Sequence, residues 1–225
     1  MAFVLTNDDG IDAPGLQALW RAVGQHGVIV APQQHHSGCS HQVSTGAPIH
    51  VHKRSDTEFA IAGTPADCTR IALSHLHPTA EWVLSGINAG GNLGADVYIS
   101  GTVAAVREAA FHRVPGIAIS HYIHRGRAID WQRASHLAAQ VITKLLQTPL
   151  EPTYFWNVNL PHLEPGAADP DMVFCDRCTQ PLPVDYVIEG DYLRYVGEYS
   201  KRARDPGSDV DVCFSGHIAV TQLQL

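Results

Sequence analysis

Residues 2–32 read AFVLTNDDGIDAPGLQALWRAVGQHGVIVAP, and this stretch decides the fold. Ala2 to Thr6 is a short apolar run that stops at Asn7-Asp8-Asp9-Gly10, the pattern of a buried strand ending in a turn. Pro14 opens a helix, because its missing N–H is not needed in a first turn, and Leu16, Leu19, Trp20 and Val23 recur at helical spacing. Gly27 stops that helix, and Val28 to Ala31 forms a second buried strand ending at Pro32. Strand, helix and strand within about thirty residues make the βαβ unit of a parallel sheet.

The alternation continues outward from this unit. Phe59 to Ala62 predicts a strand, and Gly63-Thr64-Pro65-Ala66-Asp67 starts a helix through Ile71, Ala72 and His75. Thr64 caps that helix, Pro65 fits its first turn, and Asp67 completes the capping pattern. Trp82 to Leu84 predicts a strand leading into a glycine-rich loop, and Val103 to Phe111 a helix. Gly116 to Ser120 and Phe155 to Asn159 are further strands, flanking an amphipathic helix marked by Trp131, Ala134, Leu137, Ala138, Val141, Ile142 and Leu145. The pattern predicts an α/β fold whose mainly parallel sheet carries helices on both faces. Val43, Ile49 and Val51 predict a hairpin excursion within the polar stretch between Gln33 and Thr57.

After Pro161 the periodicity thins. Tyr186-Val187-Ile188 and the run Tyr192 to Val196 flank Glu189-Gly190-Asp191, which predicts a hairpin, and His217 to Leu223 predicts a last strand. With no linker-like segment, residues 1–225 read as one domain, its core at about 1–161 and a C-terminal hairpin and tail at about 162–225.

Of the 225 residues 45% are hydrophobic and 16% charged, and the net charge is -7 with histidines neutral. A chain this acidic has no overall positive field for a nucleic-acid duplex, although a bound metal ion can reverse the potential within one cleft. The N-terminus lacks the basic start and long apolar run of a secretory signal. No run reaches the ~18 apolar residues of a membrane span. Five cysteines are an odd and scattered set, so the cytoplasm is the expected compartment.

Three segments carry chemistry. Asn7-Asp8-Asp9-Gly10 lies at the carboxyl end of the first strand, where parallel sheets bind ligands. Neighbouring carboxylates converge only if the chain turns, which Gly10 permits, and they then repel unless a cation or proton separates them. A hard divalent cation, Mg²⁺ or Mn²⁺, satisfies them; a solvated turn that caps the next helix is the alternative. Ser85 to Gly94 holds four glycines with Asn88 and Asn92. Its backbone can approach a ligand closely, and Asn88 offers a neutral oxygen to a metal or a donor to phosphate. The spacing is neither a dinucleotide fingerprint nor a P-loop, and a flexible turn remains the alternative. Ser100-Gly101-Thr102 opens a helix whose N-terminal N–H groups suit phosphate, although capping alone also accounts for it.

Taken in order, Val4 to Ile11, Ala13-Pro14-Gly15, Ala31-Pro32 followed by Ser37-Gly38, Gly63 to Cys68 and Ser85 to Thr102 resemble the SurE family of survival-protein nucleotidases. Asn157 to Pro161 and Gly216 to Thr221 resemble that family's later strands. The resemblance implies a Rossmann-like three-layer α/β/α sandwich and a phosphomonoesterase acting on nucleoside 5′- and 3′-monophosphates. It implies one divalent cation per subunit on Asp8, Asp9, Ser37 and Asn88, with Asp8 and Asp9 also catalytic. It places the phosphate pocket at Asn92, Ser100, Gly101 and Thr102. It further implies homodimers or homotetramers that exchange C-terminal segments. Gln33 and His36 stand where members commonly carry Asp and a basic residue, and Ala95-Asp96 replaces a usual acidic doublet. A histidine brings no permanent positive charge to a phosphate site, so a non-catalytic nucleotide-binding protein is the rival reading.

Other features carry less. His35, His36, Cys39 and His41 lack the paired spacing of zinc ligands, and Cys175-Asp176-Arg177-Cys178 is a lone C-x-x-C read as ordinary thiols. Ser37-Gly38 lacks the frame of a nucleophile elbow. Lys201, Arg202 and Arg204 read as a solvated basic loop, with reach to a nucleotide as the lesser alternative.

Overall fold

In the computed structural model, which describes residues 1–225, the opening apolar run is β1 (Phe3–Thr6), buried at all four positions. α1 (Pro14–Ala22) returns the chain to β2 (Val28–Pro32), parallel to β1 with Val4 opposite Val28 and Leu5 opposite Ile29. The predicted excursion forms an edge hairpin, β3 (Val51–Lys53) antiparallel to β4 (Glu58–Ile61). α2 (Pro65–Ile71) has the full reciprocal cap between Thr64 and Asp67 and runs into a π-helical turn over Ala72–Leu76. Then follow β5 (Trp82–Ala89), α3 (Gly101–Phe111), β6 (Gly116–His121), α4 (Trp131–Leu145) and β7 (Tyr154–Leu160). The last part contributes β8 (Met172–Phe174), β9 (Tyr186–Glu189), β10 (Tyr192–Tyr195), α5 (Asp209–Phe214) and β11 (Ile218–Gln224).

Nine strands form one sheet in the order β3-β4-β2-β1-β5-β6-β7-β11-β8. Its central pairings are parallel, and β11 lies antiparallel to β7. Alternate side chains of β1 feed two separate cores. Leu5 joins Leu84, Ile117, Ile119 and Val158 beneath Leu16 and Leu19 of α1 and Leu137 and Val141 of α4. Val4 joins Val30, Val83 and Phe155 beneath Cys68 of α2 and Val103 and Val106 of α3. Each fully buried leucine contributes about 2 kcal/mol, so both faces must be covered, and the three-layer α/β/α sandwich follows.

Two departures from the sequence reading matter for the site. β5 continues to Ala89 and takes half of the expected glycine loop into the sheet. Gly86 makes this possible: its φ is +134° and a Cβ there would lie 2.2 Å from the Ile119 carbonyl oxygen. The register with β6 shifts between Gly86 and Asn88, a bulge that re-aims the residues after it. The segment after Pro161 also divides. β8 and β11 extend the main sheet of their own chain, while β9 and β10 pair only with each other. The short elements β8 and α5 carry too little periodicity to have been predicted.

Candidate active site

The turn after β1 is closed by Asn7, whose Nδ2 donates to the Gly10 carbonyl at 2.8 Å while Gly10 N–H donates to Asn7 Oδ1 at 3.2 Å. Gly10 has a φ of +104°, which makes glycine the favoured residue there. Neither aspartate caps α1, whose cap position is Ala13 and has no side-chain bond. Asp8 is only 4% exposed, so the turn is not a solvated one. Thr102 donates its hydroxyl to Asp8 Oδ1 at 2.5 Å. Burial pushes the Asp8 carboxyl above its ordinary range; the Thr102 bond opposes this, and the neighbouring Asp9 charge adds to the rise. Asp9 Oδ2 accepts the Ala89 N–H at 3.1 Å, and His35 Nδ1 lies 3.3 Å from Asp9 Oδ1.

The loop bearing Ser37 is fixed from several sides. His36 N–H donates to the Asp8 carbonyl at 2.7 Å, and Ser40 N–H to the Ile99 carbonyl at 3.0 Å. Further along, His41 Nε2 lies 2.7 Å from Glu108 Oε2. Ser44 binds Asp67 through both its N–H and its hydroxyl, at 2.8 and 2.7 Å. Ser37 and Gly38 thereby cover a cavity of about 350 Å³ whose wall also includes Asp8, Asp9, His35, Asn88, Asn92, Asp96 and Ser100. Asn88 donates Nδ2 to the Gly90 carbonyl at 2.8 Å, which leaves its carboxamide oxygen for a ligand. Asn92 donates Nδ2 to Ser120 Oγ at 2.7 Å, and its main chain is held by Asn157 and Asn159. Ser100 caps α3, accepting Val103 N–H at 3.1 Å.

The cavity thus gathers six of the eight residues singled out from sequence: Asp8, Asp9, Ser37, Asn88, Asn92 and Ser100. Gly101 and Thr102 stand behind Asp8 instead. Thr102 is fully buried on the Asp8 carboxylate, and a Cβ at Gly101 would come within 2.8 Å of Asp8 Cβ. His35, weighed in the sequence only as a zinc ligand and set aside, lines the cavity with its Nδ1 3.3 Å from Asp9 Oδ1. Sequence reasoning passed over Ser120, Asn157 and Asn159. Polar residues at the carboxyl ends of buried strands are the signal that finds them. Arg202 is a correction: the side chain expected in a solvated loop is 0% exposed and pairs with Asp96.

A larger cavity of about 450 Å³ lies beside α4 among His121, Arg127, Arg133, His162 and Glu164. Arg127 pairs there with Glu164, and Arg133 donates to the carbonyls of Glu164, Ala167 and Ala168. No pair of adjacent carboxylates converges on that cavity.

Fold and site together define a Rossmann-like α/β/α protein with an oxygen-lined acidic cleft at the carboxyl ends of its central strands. The chain belongs to the SurE family: the family model described as Survival protein SurE matches residues 3–180. A Nostoc sp. protein described as a candidate 5′-nucleotidase is 61% identical over 226 residues, spanning all of both chains. The 5′-nucleotidase SurE of Methylobacterium sp. is 38% identical over 237 residues, which cover 100% of this chain and 94% of the relative. The crystal structure of SurE protein from Aquifex aeolicus superposes with a TM-score of 0.86 at 27% identity, covering 100% of this chain and 93% of the other. A nucleotidase is a hydrolase, and that is the enzyme class of this chain.

Proposed function

We propose that this SurE-family enzyme hydrolyses nucleoside 5′-monophosphates, and 3′-monophosphates with them, using one divalent cation, Mg²⁺ or Mn²⁺, per subunit. The observation that carries the reading is the pair Asp8 and Asp9 on one cavity wall, with the nearly buried Asp8 set against the N-terminus of α3. The chemistry of the donors fits a hard cation: two carboxylates, the Ser37 hydroxyl and the free oxygen of Asn88 would hold it. When bound, such a cation acidifies and orients a water and draws charge from the phosphoryl oxygens. Soluble thiol chemistry agrees with the cytoplasm as its compartment, since all five cysteines are free.

The chain's own groups do the rest. The Thr102 hydroxyl fixes Oδ1 of Asp8 and leaves Oδ2 to take a proton from the attacking water. Gly101 and Thr102 act through Asp8, against which Gly101 packs and to whose carboxylate Thr102 turns its N–H, while Asn92 and Ser100 line the cavity that would take the phosphoryl group. The relatives named 5′-nucleotidase support a nucleotide as the substrate. Assembly as a homodimer or homotetramer, with exchange of C-terminal segments, agrees with a β9–β10 hairpin that pairs with nothing else in its own chain.

The decisive experiment measures AMP and GMP hydrolysis by chelator-stripped protein and by Asp8→Asn. Stripped protein should recover on adding Mn²⁺ or Mg²⁺, and Asp8→Asn should lose at least about 10³-fold in kcat with its fold intact. Near-wild-type rates from either sample defeat the mechanism. Turnover of p-nitrophenyl phosphate removes the rival of a non-catalytic binding protein.

A further inference from the structure

Asp96 poses an electrostatic difficulty for any anionic substrate. It lines the same cavity as Asp8 and Asp9, so a phosphate entering there meets a third carboxylate. All of the hydrogen bonds that Asp96 accepts at its carboxylate fall on Oδ2: Leu93 N–H at 3.2 Å, Tyr199 OH at 2.5 Å and Arg202 Nη1 at 2.8 Å. Two of those three donors come from the C-terminal segment, more than 100 residues away in sequence.

Arg202 is placed as a fixed charge. Its side chain is 0% exposed, and its guanidinium lies over the Tyr199 ring at 4.9 Å. Its Nε and Nη2 have no hydrogen-bond partner; Asp96 is the carboxylate in ion-pair contact with it, and the buried Asp209 feels its charge from further off. Gly94 lets it in, since a Cβ there would stand 2.9 Å from Nη2. Burial, and then the Asp96 charge, push the Tyr199 phenol well above its ordinary value, so Tyr199 remains a donor. The main-chain carbonyl of Asp96 in turn accepts Ile99 N–H and Ser100 N–H, each at 3.1 Å. Asp96 therefore connects the C-terminal segment to Ser100, which lines the cavity and caps α3.

We propose that Arg202 is a positioning residue of the phosphate pocket: it cancels the charge of Asp96 and, through Asp96, holds the turn from Leu93 to Ser100 in place. Arg202 thus acts on the site from the tail through Asp96, whereas the loop before Ser37 carries no permanent cation. Without Arg202, Asp96 would stand as an uncompensated buried anion beside the phosphate. The proposal rests on the phosphatase reading for its purpose, and its test does not depend on turnover.

Inorganic phosphate is the probe, with affinity measured by titration calorimetry on the full chain in Mn²⁺. Arg202→Met should weaken phosphate at least tenfold and raise KM for AMP more than it lowers kcat. It should also speed hydrogen exchange at the amides of Leu93, Ile99 and Ser100. Arg202→Met with Asp96→Asn removes the unpaired Asp96 charge but not the loss of the tether, so phosphate affinity should recover at least about threefold over the single variant while exchange at Leu93, Ile99 and Ser100 stays fast. Unchanged affinity in the single variant, or a double variant no better than the single, overturns the proposal. If Arg202→Met alone does not fold, Arg202→Lys is the single variant compared with wild type, and unchanged phosphate affinity together with unchanged exchange at Leu93, Ile99 and Ser100 overturns the proposal. Wild-type protein that binds phosphate but turns over no nucleotide would defeat the proposed function and leave Arg202 still under test.

Discussion

Asp8 is crowded as well as buried. A Cβ at Gly101 would lie 2.8 Å from Asp8 Cβ and 3.0 Å from both Asp8 Oδ2 and Cys39 Sγ. Gly101→Ala must therefore push the carboxylate away, at about 1–3 kcal/mol of stability and at least about a hundredfold in kcat/KM. Urea unfolding and AMP kinetics together check this, and a variant with wild-type kinetics would show that the contact is slack. His121 makes a second residue-scale prediction. Burial, with the nearby His162 adding to it and the Tyr122 carbonyl opposing, lowers its pKa from 6.5 to about 4. The unfolded chain then binds a proton that the folded chain refuses between those values, so this stabilisation is complete above 6.5 and disappears as pH falls toward 4. The loss amounts to about 3 kcal/mol. His121→Gln should flatten the fall in urea midpoint between pH 7 and pH 4.5, and equal slopes in the two proteins would refute the assignment. Asp8 and Asp9 were legible in sequence because adjacent acids after an apolar strand are chemically conspicuous. Arg202 was not, because a basic run gives no sign of which member finds a buried partner.

At the scale of elements, α2 does more than cover the sheet. Asp67 takes Thr64 N–H at 3.0 Å in the cap and also binds the N–H and hydroxyl of Ser44, while the Thr64 hydroxyl donates to the Gln42 carbonyl at 2.6 Å. The start of this helix is thus the far anchor of the loop that carries Ser37. Thr64→Ala removes the cap acceptor and should lower stability by about 1 kcal/mol. Because the loop loses an anchor as well, apparent metal affinity should weaken in the same variant, by titration of the stripped protein with Mn²⁺. A loss of stability with unchanged affinity would separate the helix from the site. The capping box was readable from Thr64 and Asp67 because a cap is a local contract among neighbours. The length of β5 was not, because Gly86 and Gly90 look alike in sequence. Only the close approach of the Ile119 carbonyl makes Gly86 a strand residue.

For the whole molecule, the parallel sheet was legible because strand–helix alternation leaves few ways to cover two apolar faces. The edge order beyond β7 was not, since β8 and β11 join the sheet through contacts distant in sequence. The hairpin β9–β10 was legible and has no core to rest on. Ile188 and Leu193 stand opposite each other and are 73% and 64% exposed, with Tyr192 at 79%. A two-stranded ribbon is marginal by itself in water, and a cluster of exposed apolar side chains marks a contact surface. A second copy of this chain is the partner that a homo-oligomer supplies. Ile188→Lys with Leu193→Glu keeps an attractive cross-strand pair, and so keeps the ribbon, but places charge where the neighbour would pack. Light scattering after size exclusion should then show the mass falling from a multiple of one chain toward a single chain, at unchanged circular dichroism. A wild-type protein already at the mass of one chain, or a charged variant that stays assembled, would remove the hairpin from the assembly.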